Sequence, residues 1–174
     1  MANLMGRPPL FRKTFKDEAR PSNFTFLIRP TAKEFYDFVL LLDQIMSDNI
    51  NKRFFGDDVP LEEENERKDG KVEVRQRGTI ALLQDWINLM FHPVDPAPME
   101  GMITTFRKIR GLRQKPAHST IDNDFDQQYF KDQRSLIVEA YKAVRLIRLV
   151  FTNHPNCRGH KIEDILYDGR IRSF

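Results

Sequence analysis

Apolar residues recur at three- and four-residue steps along this chain, and four segments carry the pattern far enough to predict helices. The first follows Thr31 and Glu34, which have capping-box spacing, and carries apolar residues at 35, 38, 39, 42, 45, 46 and 50. This predicts a helix over 32–54 with Phe35, Phe38, Val39, Leu42 and Ile45 turned inward, and Asp37, Asp43, Gln44 and Asp48 facing water or a partner. A second helix is predicted from Gly78 or Thr79 to just before Pro93. Its stripe of Ile80, Leu83, Ile87 and Met90 is widened by Leu82, Trp86 and Leu89, a breadth that implies burial between two neighbours or partly against another subunit. The third, over 99–113, has Met102, Phe106, Ile109 and Leu112 as its seam. The fourth and longest, over 127–152, carries Leu136, Ile137, Ala140, Tyr141, Val144, Ile147 and Phe151, with Leu146 and Val150 extending the buried width, until Asn153-His154-Pro155 stops it.

The connecting segments read differently. Residues 1–22 contain Arg7-Pro8-Pro9 and Arg20-Pro21, which disfavour a long helix and predict an extended arm. Phe24, Phe26 and Ile28 alternate with Thr25, Leu27 and Arg29, the period of a short strand, and Val72–Val74 after the Asp69-Gly70 turn signal is its candidate partner; two extended linkers are the other reading. Residues 56–70 are rich in Asp and Glu and read as an acidic loop, and 156–174 as a mixed-charge tail with one short turn near 162–167. The expected architecture is therefore an all-α, up-and-down helical bundle over 23–155, with a small two-stranded addition from the N-terminal segment and the loop.

Composition narrows the function classes. At 174 residues and 40% hydrophobic content the chain can bury one core as a single domain. A formal charge of +3 is too small to argue for nucleic acid, so local clustering has to carry that case. The one cysteine, Cys157, excludes an intrachain disulfide and points to a reducing compartment, here the cytoplasm; no run has signal-peptide or membrane-spanning character, so no membrane role is expected. The acidic loop lacks EF-hand spacing, Cys157 and His160 make only two of the ligands a zinc site needs, and no phosphate-binding glycine loop, zinc-protease motif, dinucleotide fingerprint or nucleophile elbow is present. Neither metal nor cofactor is expected. His92 and His154 each precede a proline at a helix end, where capping is their expected role.

The chemistry concentrates at the end of the third helix. Arg107, Lys108, Arg110, Arg113 and Lys115 form a cationic run with no acid among them, so they are expected to bind an anion unaided. Pro116 removes a backbone donor and disfavours helical angles at Lys115, so the chain should turn and bring His118 back toward Arg113. A planar guanidinium at 113 suits the nonbridging oxygens of a phosphodiester, and an imidazole at 118 titrates near neutrality and can move its protons. Arg107, Arg110, Gln114 and Lys115 would hold the backbone or orient His118. Arg145 and Arg148 on the last helix either snorkel outward or complete the cleft. A plainer reading also accounts for this run: Arg113 as a cation at a helix C-terminus, Arg107 and Arg110 solvated or paired with the acidic loop, and His118 as a cap or an interface residue.

Arg113 and His118 with four residues between them, at a proline-broken helix end and followed by the long helix containing Asp132-Gln133-Arg134, resemble the signature of the higher eukaryotes and prokaryotes nucleotide-binding (HEPN) family over about 79–153. Gln114 stands where that signature usually has Asn, Asp or His. The resemblance implies a HEPN-like helical bundle, a homodimer, and in active members a metal-independent endoribonuclease with Arg113 and His118 catalytic at a dimer cleft, leaving 2′,3′-cyclic phosphate ends. It also implies a toxin, antitoxin-partnered or antiviral defence setting. The alternative is a noncatalytic module of the same kind that binds RNA, nucleotide or a protein partner.

Overall fold

A hydroxyl cap starts the first helix, much as the spacing of Thr31 and Glu34 predicts. In the computed structural model, which describes residues 1–13, 29–115, 123–162 and 164, Thr31 Oγ1 accepts from the Glu34 amide and α1 runs Ala32–Asp43. The Glu34 carboxylate does not return to Thr31 as in a capping box. It reaches Arg29, taking the backbone amide and Nε at 2.9 Å each.

The predicted helix over 32–54 does not continue unbroken. At Gln44–Asp48 the backbone opens into one π-helical turn, and beyond it only a short 3-10 turn, Lys52–Phe54, remains. The N-terminal arm supplies the competing hydrogen bonds that end the helix. Asn49 clamps Lys13 through both its amide atoms, Arg12 donates to the Asn49 carbonyl at 2.8 Å, and Asn51 donates its amide to Leu10 at 2.7 Å. The arm is consequently part of the fold within residues 1–13: Leu10 is buried in the core and Ala2–Met5 forms a 3-10 turn beside another at Pro155–Cys157.

Three further helices complete the bundle among the described residues: α2 Thr79–Met90, α3 Ala97–Gln114 and α4 Gln128–Thr152. Helix α3 lies against both α1 and α4, placing Met102, Ile103, Phe106 and Ile109 in the centre. The α4 seam is narrower than its apolar sequence suggests. Leu136, Ala140, Ala143, Ile147, Val150 and Phe151 are buried, whereas Ile137, Tyr141 and Leu146 are half-buried and Val144 is exposed. On α2, likewise, Leu82, Leu83, Trp86 and Ile87 are buried while Leu89 faces out.

The acidic stretch forms a strand. β1 Glu62–Glu66 pairs antiparallel with β2 Val72–Gln76, in register from Glu62 opposite Gln76 to Glu66 opposite Val72. Gly70 closes the turn with φ 75°, a conformation that L side chains rarely adopt. The expectation of a strand at Val72–Val74 holds, but its partner within the described residues is β1; Phe24–Ile28 lies outside them. The result is a helical bundle carrying a small two-stranded antiparallel sheet.

Trp86 anchors the core. Its ring meets Phe54, Phe91 and Phe151 at centroid distances of 4.9, 5.8 and 5.9 Å, its Nε1 donates to Asp58 at 2.8 Å, and the Arg7 guanidinium lies 5.8 Å from its ring centroid. Arg7 also bonds Asp58 and the Phe54 and Phe55 carbonyls, so one side chain of the arm ties three elements of this corner together. Replacing Trp86 with Ala should lower the unfolding free energy by about 3–5 kcal/mol in urea denaturation, because it empties an aromatic core position and removes one of the two donors to Asp58. Arg7→Ala should cost less but unfold the chain in the same single transition, which a concerted loss of near-UV and far-UV circular dichroism would register.

Candidate functional site

The cationic run on α3 has partners contributed by distant parts of the chain. Arg107 bonds the Gln84 side chain, and Lys108 reaches both carboxylate oxygens of Glu139 on α4 at 2.7 and 2.8 Å. Arg110 and Arg113 both turn toward α1. Arg110 Nε donates to Asp43 at 3.0 Å and Nη2 to Asp48 at 2.6 Å, while Arg113 Nη1 lies 2.6 Å from an oxygen of each aspartate. The expectation that these cations stand without acids is therefore corrected: they are unaccompanied in sequence, not in space. The acidic stretch is not what pairs them, since the carboxylates come from α1, its π-turn and α4.

The π-turn makes the double contact possible. Residues five apart on an α-helix point about 140° away from each other, so Asp43 and Asp48 could not both address one guanidinium. Opening the turn to i→i+5 bonding brings them onto the same side. Asp43 was expected to face water or a partner; it is 0% exposed, on the same face of the helix as the buried Val39, Leu42 and Met46. A carboxylate in that position is strongly unfavourable unless its lone pairs and charge are met, and two arginine side chains meet them. Asp48 lies at the mouth of the cluster, where its carboxylate is partly in water.

Two guanidiniums against two carboxylates leave the cluster formally neutral. Its electrostatics follow from the geometry. Partial burial pushes the Asp48 carboxyl up, but hydrogen bonds from Arg113 and Arg110 and the charges behind them outweigh that and hold it below its ordinary value. Arg113 is pushed up by its hydrogen bonds to Asp43 and Asp48, against a smaller opposing effect of burial. Arg113 is 31% exposed, and both of its bonds to the aspartates leave from Nη1. Among the described residues, its Nε and Nη2 make no hydrogen bond, so the side-on edge of the fork is uncommitted.

The other predicted positions are dispersed. Gln114 and Lys115 are exposed at the end of α3, Arg145 is exposed on α4, and Arg148 is half-buried. Pro116 and His118 lie outside the described residues. His92 and His160 are exposed, and His154 Nδ1 accepts from the Asn156 amide at 3.2 Å, starting the turn at Pro155–Cys157 rather than closing α4. Cys157 is buried with its thiol 3.7 Å from the Met1 carbonyl. Among the described residues no three His, Cys, Asp or Glu side chains gather as a metal site, and no helix is long and apolar enough to cross a membrane.

Asp43 and Asp48 were expected to face water or a partner, and their pairing with Arg110 and Arg113 was not anticipated. A signal was present for the first: position 43 is four after Val39 and three before Met46, so it falls on the seam rather than opposite it. Asp48 carried no such signal, because only the π-turn rotates it into place.

Asp43→Asn should destabilise the protein by about 3–5 kcal/mol in urea denaturation, since it removes the charge that the two buried-facing guanidiniums require. Asp48→Asn should cost about 1 kcal/mol or less, given its exposure. Asp48, whose folded-state pKa is depressed, contributes stability that is fully present above about pH 4, the unfolded carboxylate value, and is lost as pH falls through the lower folded value. An acid titration of stability should therefore fall more gently for Asp48→Asn than for the parent chain below about pH 4. The chain matches no protein-family profile, no curated protein and no solved structure, so a functional reading has to be built on the Arg113 cluster itself.

Proposed function

We propose that this chain is a metal-independent endoribonuclease of HEPN-like type, acting as a homodimer, in which Arg113 and His118 address one RNA phosphodiester. The observation that carries this reading is the state of Arg113: two aspartates grip its Nη1 and fix the plane of the guanidinium, while Nε and Nη2 stay uncommitted among the described residues, five positions before a histidine. A fork held in this way costs little further ordering when an anion arrives, which is what stabilising a transition state requires.

In this mechanism the ribose 2′-hydroxyl attacks the adjacent phosphorus and the 5′-oxygen departs. His118 takes the hydroxyl proton or delivers one to the leaving oxygen, and a two-fold dimer would supply a second His118 for the complementary transfer. Arg113 meets the nonbridging oxygens with its Nε–Nη2 edge, where negative charge grows. The aspartates position the arginine and take no part in proton transfer. Products are a 2′,3′-cyclic phosphate and a 5′-hydroxyl. DNA lacks the nucleophile and should survive.

A second reading has its own support. Because Arg107, Lys108, Arg110 and Arg113 all have partners within the chain, the α3 face has less free positive charge for stabilising a transition state than its sequence suggests, which favours a noncatalytic module binding RNA, nucleotide or an antitoxin-like or defence protein.

Cleavage of a labelled RNA by the purified chain, with and without chelator, separates the two. His118→Ala and Arg113→Lys should each slow cleavage by about a hundredfold or more while circular dichroism is unchanged. An RNA with a single 2′-deoxy sugar should resist cutting at that linkage. Binding of RNA with no new terminus detected by mass spectrometry would establish the second reading instead.

A further inference from the structure

Away from the Arg113 cluster, α4 carries a second cationic surface. At about 100° per residue, Lys131, Arg134, Lys142 and Arg145 fall within an arc of about 80° on the side of the helix opposite Leu136, Ala140 and Ile147. All four are exposed, and among the described residues none forms an ion pair. The α4 carboxylates lie off this stripe: Asp132 accepts from Gln128, and Glu139 is held by Lys108 on the flank toward α3. Between the two cation pairs sits Val138, and Leu149 is exposed beyond them.

The hairpin presents the complementary surface. Strand alternation and the observed register put Glu62, Glu64, Glu66, Val72, Val74 and Gln76 on one face. On the opposite face Arg75 is paired with Glu73, but among the described residues none of the three glutamates has an ion-pair partner; Glu62 is met only by the Gln76 amide, with Lys52 touching Gln76 at the base. Val72 and Val74 are 59% and 56% exposed between these acids. Like charges lined up along one strand face are unfavourable, and a two-stranded hairpin with both faces in water is marginal.

We propose that these surfaces are the two halves of one interface between copies of this chain, the acidic hairpin face of each protomer lying along the outer stripe of α4 in the other. The dimensions agree: the two cation pairs on α4 are centred about 16 Å apart at 1.5 Å per residue, and Glu62 to Glu66 spans about 13 Å. The valines then cover Val138 in the gap between the cation pairs. A two-fold axis makes the contact reciprocal, so it forms twice per dimer. Contact of α4 with α4 would oppose cation to cation. Nucleic acid on the stripe would leave the glutamates and valines of the hairpin unanswered, which is why the chain's own hairpin is the better occupant.

Sedimentation velocity on the full chain tests this by charge exchange. The wild-type protein should dimerise and weaken about tenfold between about 0.05 and 0.5 M ionic strength. The triple variant Glu62→Lys, Glu64→Lys, Glu66→Lys and the quadruple variant Lys131→Glu, Arg134→Glu, Lys142→Glu, Arg145→Glu should each be monomeric alone with wild-type circular dichroism. Mixed in equal amounts they should dimerise again, because the pair then has one contact of native sign and one of reversed sign, both attractive. If either variant loses its circular dichroism, Glu64→Gln and Arg145→Gln should each raise the dimer Kd several-fold. A monomeric wild-type chain, a dimer that survives these changes, or folded charge-reversed variants that fail to associate when mixed would each overturn the proposal, and a monomer that binds polyuridine through the α4 cations would reassign the stripe to nucleic acid. Arg113→Lys should leave the dimer intact, so this result does not depend on the nuclease activity.

Discussion

The burial of one carboxylate, that of Asp43, organises this molecule. A charged oxygen pair with no access to water is tolerated only because Arg110 and Arg113 each deliver a donor to it, and that requirement sets the relation of α1 to α3. The π-turn at Gln44–Asp48 follows from the same demand, since an uninterrupted α-helix would carry Asp48 away from both arginines. Local backbone irregularity and long-range charge pairing are thus one feature, and the side chains that unite them are separated by up to 70 positions along the chain.

A second anchor works at the other end of the bundle by different means. There Arg7 is spread over Phe54 and Trp86 and bonded to Asp58, so a cation from the N-terminal arm closes an aromatic cluster. The arm and the loop after the π-turn exchange backbone hydrogen bonds, which explains why the first helix ends where it does although its apolar pattern continues to Ile50 and Phe54.

For the proposed chemistry, neutralisation of Arg113 has a double consequence. It reduces the long-range pull on a polyanion, which the formal charge of the α3 run would overstate, and it stiffens the guanidinium so that orientation replaces attraction as its contribution.

The four helices followed from the chain alone, because helical periodicity is a local property: Phe35, Phe38, Val39 and Leu42, or Met102, Phe106 and Ile109, declare a buried face within a few turns. The strand at Val72–Val74 and the cap at Thr31 were readable for the same reason. What the linear pattern could not carry was pairing. The pairing of β2 with β1 was not anticipated, because strand choice depends on which segment the turn at Gly70 folds back. Asp48 is exposed as expected and Asp43 is buried against expectation, but the ion pairs of both join residues 62 to 70 positions apart, and charge complementarity at that distance leaves no periodic trace. Local spacing determined where helices lie, and only the assembled tertiary structure decided which charges are spent inside the fold and which remain for a partner.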